Sequence, residues 1–143
     1  HRLQYSHQER KKNSTSAVSV EKAIQIMVSA DTAEAVWQCS FEALEVLDFD
    51  HAAIIISVKE KEYTFTWKND RPHSEGFDKW SLFLNLHDGE RVIGELEVWR
   101  KGEDVPIRDA CMLINKLRHA LTVHMIRILD DLDEDKEIIE FVG

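Results

Sequence analysis

The stretch from Trp80 to Trp99, WSLFLNLHDGERVIGELEVW, constrains this chain more than any other. Trp80, Leu82, Leu84 and Leu86 fall on one face of a period-2 strand, and Val92, Gly94, Leu96 and Val98 do the same after Asp88-Gly89-Glu90. Period-2 alternation on both sides of a Gly-containing turn predicts a β-hairpin with one apolar face. Setting the two apolar faces together predicts Leu86 opposite Val92 and Leu82 opposite Leu96, with Asp88-Gly89-Glu90 as a three-residue loop. The outer face of the second arm, Arg91, Glu95 and Glu97, is polar, as expected of an antiparallel sheet covered on one side.

Around this hairpin the chain reads as helix, helix, strand, strand, loop, strand, strand, helix. Residues 1 to 17 are polar and aperiodic, and read as a linker or frayed helix. Ser19 is placed to cap a short helix over Val20 to Ser29. Asp31, with Glu34 three residues on, is placed to cap a second helix carrying Ala35, Val36, Cys39, Ala43, Leu44 and Leu47 on one side. His51 to Val58 is apolar on both faces and too short for a helix, so it reads as a central strand, and Tyr63 to Trp67 as the next, joined by a loose Lys59-Glu60-Lys61-Glu62 turn. Residues 68 to 79 form the one substantial loop. From Ile107 to about Leu132 the pattern is a long amphipathic helix in which Ile107, Ile114, Leu121 and Ile128 recur every seven residues. The acidic tail occupies residues 130 to 143.

Charge and composition exclude several functions. The chain has 143 residues, is 43% hydrophobic and carries a net charge of −9, enough for one core and unsuited to non-specific nucleic-acid binding. Residues 1 to 12 sum to +3 and residues 130 to 143 to −6. No apolar run is long enough to span a bilayer. The chain starts with His rather than Met, and a piece of a longer protein is expected. The two cysteines, Cys39 and Cys111, fall on apolar faces of the expected helices and read as buried thiols in a reducing, cytoplasmic compartment.

No motif closes a catalytic or metal site. Asp131, Asp133 and Asp135 have the one-three-five spacing of a calcium loop, but Lys136 and Val142 stand where such a loop needs Gly and Glu. His119 and His124 are five apart on a helix and point in different directions, and His51 and His87 have no second ligand near in sequence. A nucleophile elbow, a P-loop and a Gly-rich turn before a helix are all missing from the sequence. This segment is read as non-catalytic, with neither metal nor cofactor. Trp67 and Trp80, which flank the loop, are candidates for a small pocket.

The segment Leu44 to Ile54, LEVLDFDHAAI, followed by Asp88 to Val98, DGERVIGELEV, and a closing helix resembles the GAF domains over roughly residues 30 to 129. The resemblance implies an α+β fold, an antiparallel sheet flanked by N-terminal and C-terminal helices, over residues 18 to 129. It also implies a regulatory, sensor or dimerisation role. Only residues 68 to 79 are available to wall the family's ligand pocket, and they hold no Cys for a chromophore. The start His1-Arg2-Leu3, with its basic run, is similar to the cytoplasmic continuation of bacterial polyprenyl-phosphate sugar-1-phosphate transferases. That similarity implies, as the alternative, a structural domain of a membrane-bound transferase, tethered to the inner face of a membrane by an upstream segment. In either case a homodimer is expected through the terminal helices, with Ile107, Ile114, Leu121 and Ile128 at the interface.

Overall fold

The computed structural model describes the backbone of residues 2–70, 79–101 and 108–142, and the side chains of residues 15–70, 79–101 and 110–131. Its elements are α1 (Arg2–Met27), α2 (Ala33–Cys39), α3 (Phe41–Val46), β1 (His51–Val58), β2 (Lys61–Lys68), β3 (Lys79–Asp88), β4 (Arg91–Lys101) and α4 (Arg108–Val142). The expected α+β class holds: the four strands form one antiparallel sheet in the order β2-β1-β4-β3, and the N-terminal and C-terminal helices pack together beside it.

The apolar pattern decides which face of the sheet is covered. On β1, Ala52, Ile54, Ile56 and Val58 are buried, whereas His51, Ala53, Ile55 and Ser57 are not. Leu96 and Val98 on β4 and Leu86 on β3 complete the buried face, against which α4 brings Ile114, Leu117, Leu121 and Met125. Leu44, Ile54, Ile56, Leu96, Val98, Ile114 and Leu117 are buried in this core, while Leu84, on an edge strand, is only partly covered.

The central hairpin departs from the expected register. Leu84 opposes Leu96, Leu82 opposes Val98 and Leu86 opposes Gly94, and a bulge follows before His87 pairs with Val92. The extra residue is Ile93, so alternation slips there: Ile93 is buried at 8% exposure and Val92 is 52% exposed. A bulge of this kind sets two residues against one and re-aims side chains. The chain reverses at Gly89-Glu90, a two-residue turn closed by Asp88 and Arg91, with Gly89 at φ 63. The β1–β2 connection is also tight rather than loose. Val58 pairs with Lys61, leaving Lys59 and Glu60 as the turn at φ 51 and 66. Two positive φ values match the twist of the flanking strands.

The helices also differ from expectation. α1 runs unbroken through Ser19, which is therefore no cap, and through most of the segment read as linker. The cap of α2 is Thr32, not Asp31: its hydroxyl accepts from the Ala35 amide at 3.0 Å. The single helix expected up to Leu47 is interrupted at Ser40, whose buried hydroxyl donates to the Trp37 carbonyl at 2.6 Å. Asp48, at φ 73, closes α3 while the Phe49 amide reaches back to the Leu44 carbonyl at 3.1 Å, the six-to-one bond of a left-handed helix end. α4 continues as helix across residues 130 to 142, the segment read as an acidic tail beyond the closing helix.

Asp50 then ties three strand ends together. Its amide donates to the Trp99 carbonyl and its own carbonyl accepts from the Asn69 amide, both at 2.9 Å, and its carboxylate accepts from the Lys101 amide at 2.8 Å.

Candidate functional site

The two tryptophans expected to share a pocket lie on opposite edges of the sheet. Trp67 is on β2 and Trp80 on β3, three strand spacings apart, about 14 Å. Each already has an aromatic partner on the covered face: Trp67 packs on Phe41 at 6.3 Å between ring centroids, and Trp80 stacks on Phe49 at 6.4 Å. Among the described residues they form no common pocket. Loop chemistry drew attention to them, but the strand order β2-β1-β4-β3 separates residues that adjoin the same loop.

The heptad stripe of α4 is placed differently from expectation too. Ile114, Leu121 and Ile128 are buried inside the protomer, in the cluster that also holds Val20, Ala23 and Met27 of α1. Ile107 lies outside the described residues. A helix packed on a helix keeps the seven-residue step of a coiled-coil seam. The partner helix here is α1 of the same chain.

What remains exposed on this helical pair is another surface. On α1 and its end, Val18, Glu21, Gln25 and Val28 follow at steps of three and four, and on α4 Met112, Lys116, His119 and Val123 do likewise. The two stripes are joined where Lys116 Nζ meets Glu21 Oε2 at 3.0 Å. Val18, Val28 and Met112 are each 65% exposed and Val123 is 48% exposed. Four large apolar side chains thus flank one exposed ion pair.

The second exposed feature is the uncovered face of the sheet. His51 and Trp99 are register partners on β1 and β4, and their rings stack with centroids 5.3 Å apart and planes 16° from parallel. Lys79 Nζ lies 4.7 Å from the Trp99 ring centre and 3.9 Å from Glu97 Oε1. Phe83 and Ile55 extend the apolar part of this face. Burial of the imidazole pushes the His51 pKa below its ordinary value; Glu97 opposes that shift, and Lys79 and Lys68 add to it. The ring is therefore neutral near neutral pH, and its Nδ1 is buried with no hydrogen-bond partner among the described residues. Sequence reasoning saw His51 and Trp99 separately. The alternation on β4 marks Trp99 as outward-facing, but β1 reads as apolar on both faces, and the pairing of His51 with Trp99 needs the β1–β4 register.

This face holds an aromatic stack, His51 on Trp99, with the Lys79 cation over the indole. Among the described residues no group of three His, Cys, Asp or Glu side chains is placed to hold a metal, and no described helix is long and apolar enough to cross a membrane. No family model matches the chain, and no curated protein matches it.

Proposed function

We propose that this chain is a GAF-like, non-catalytic regulatory module whose terminal helices join it to a second copy of itself. The observation that carries the reading is the outer surface of α1 and α4, where Val18, Val28, Met112 and Val123 surround the Glu21–Lys116 pair. Solvent-exposed apolar side chains grouped on one helical face mark an association surface. The order of elements, and the packing of the first and last helices into one body, support the family assignment. Both helices are also long, about 39 Å for α1 and about 52 Å for α4 at the usual rise per residue, so a change at one end of either has a rigid path to the other. The two free thiols, Cys39 and Cys111, support a reducing, cytoplasmic setting.

The pairing residues in this proposal are the exposed stripe, in place of Leu121 and Ile128. Static light scattering tests it directly. The natural chain should show a dimer mass that dissociates on dilution, and Val18→Glu with Met112→Glu should be a monomer with unchanged far-UV circular dichroism. A natural chain that is monomeric at every concentration, or a dimer indifferent to both charges, refutes it.

A further inference from the structure

At each edge of the sheet a helix side chain donates to a strand carbonyl. Trp37 Nε1, on α2, donates to the Thr66 carbonyl of β2 at 3.0 Å, and Arg118 Nη1, on α4, donates to the Asn85 carbonyl of β3 at 2.8 Å. Backbone groups along an antiparallel strand point alternately to either side. On β3 the groups of Ser81 and Phe83 therefore face outward with those of Asn85, and among the described residues they meet no partner. The two guards are not alike. Trp37 is buried, with Phe41 edge-on against it at 6.1 Å, so it cannot leave Thr66 without opening the core. Arg118 is only partly covered, and its second anchor is the Asn115 side chain, one turn back on the same helix.

We propose that the β3 edge is a strand-pairing surface gated by Arg118, and that its occupant is β3 of a second copy, running antiparallel. Pairing requires outward-facing residues to oppose one another, which sets Phe83 against Phe83 of the second copy on a two-fold axis and Ser81 against Asn85. Lys79 then faces His87, with Asp88 next to it. The strand begins with a cation and ends with an anion, so the antiparallel arrangement places opposite charges together at both ends. It also covers Phe83, 56% exposed on the open face, and brings the partly covered Leu82 and Leu84 together across the joint on the helical side. In this register the Ser81 amide of one copy donates to the Asn85 carbonyl of the other, the acceptor that Arg118 holds. The edge opens only when the guanidinium lets go, and an exposed strand edge without such a guard is a template for association.

Sedimentation velocity tests the gate, in a chain already carrying Val18→Glu and Met112→Glu so that association through the helices is removed. Arg118→Ala in that background should convert the monomer to a dimer of twice the mass at micromolar to millimolar concentration. Adding Phe83→Pro should return it to monomer. The Phe83 amide points away from β4, so proline there removes no bond within the sheet. An Arg118→Ala chain that stays monomeric, or an association that survives Phe83→Pro, overturns the proposal. Should Arg118→Ala not fold, hydrogen exchange on Arg118→Gln in the same background, which keeps most of the stem but loses the charged fork, decides: the Ser81 and Phe83 amides should become more protected as concentration rises, and exchange independent of concentration overturns the proposal. Because both helix-face charges are present throughout, failure of the strand edge leaves the helical dimer untouched, and the reverse also holds.

Discussion

A Cβ atom placed on Gly94 would lie 1.9 Å from the carbonyl oxygen of Ile55 on the neighbouring strand. No side chain fits there, because the obstacle is backbone of the central strand β1 and not the end of a flexible side chain. The bulge at Ile93 lies immediately before this residue. Gly94 thus lets β4 regain its register with β1 directly after the extra residue.

The expected consequence is that Gly94→Ala forces β1 and β4 apart. A change that overpacks a well-packed core costs roughly 1 to 3 kcal/mol, and one that also breaks ladder bonds belongs at the upper end of that range or above it. Urea unfolding should show a clear drop in midpoint. A midpoint equal to that of the natural chain would mean that the strands do not approach as closely as described.

Leu96→Ala should cost about 2 to 5 kcal/mol, the range for removing a large side chain from a filled core. Leu96 is 1% exposed and sits between Ile54 on β1 and Leu84 on β3 in the register. Its neighbour Glu95 points to the open face, so Glu95→Ala is the control and should shift the midpoint little. Equal effects of the two would place Leu96 on the wrong face.

The sheet was legible in the sequence wherever its two faces differ chemically. Leu96 and Val98 against Glu95 and Glu97 follow the period of a half-covered strand, whereas β1, with Ala53 and Ile55 on its open face, reads as apolar on both faces although only Ala52, Ile54, Ile56 and Val58 are buried. The register was not legible, because alternation reports which face a residue uses and carries no information on which residue lies opposite. An inserted residue such as Ile93 shows up only as two adjacent apolar side chains, Val92-Ile93, that either phase of the pattern can claim. The seven-residue step on α4 was real, but a helical partner in the same chain produces the same step as one in another chain. The structure gives that role to α1, so the exposed stripe through Met112 and Val123, with fewer apolar positions, escaped notice. The stacked pair His51 and Trp99 depended on register for the same reason as the hairpin.

The β1–β2 turn offers a stabilising change. Glu60 occupies φ 66, a region that costs an L-residue about 1 to 2 kcal/mol and glycine almost nothing. Lys59 is better kept, since its Nζ donates to the Asp130 carbonyl at 3.1 Å and so fastens the turn to α4. Glu60→Gly should raise stability by about 0.5 to 1 kcal/mol, the gain from relieved strain being partly offset by the greater freedom of glycine in the unfolded chain. Thermal unfolding with a lower midpoint for Glu60→Gly would contradict the turn geometry.

Stability should depend on pH through two histidines. Burial lowers the pKa of His51, with Lys79 and Lys68 adding to the shift and Glu97 opposing it, and burial followed by the nearby Arg127 lowers that of His124. In the unfolded chain both rings take up protons near the ordinary value of about 6.5. Between that value and the lower folded ones the unfolded state therefore holds more protons, and stability rises with pH across that window. The contribution is complete above the unfolded value, falls as the pH drops through it, and levels off once the folded rings are protonated as well. Urea midpoints measured from neutral pH down through the histidine range should fall accordingly. His51→Phe keeps an aromatic ring against Trp99 while removing both the titration and the buried Nδ1, so it should flatten this slope and gain most over the natural chain on the acidic side. A slope unchanged by His51→Phe would mean that the imidazole takes up its proton as easily in the fold as out of it.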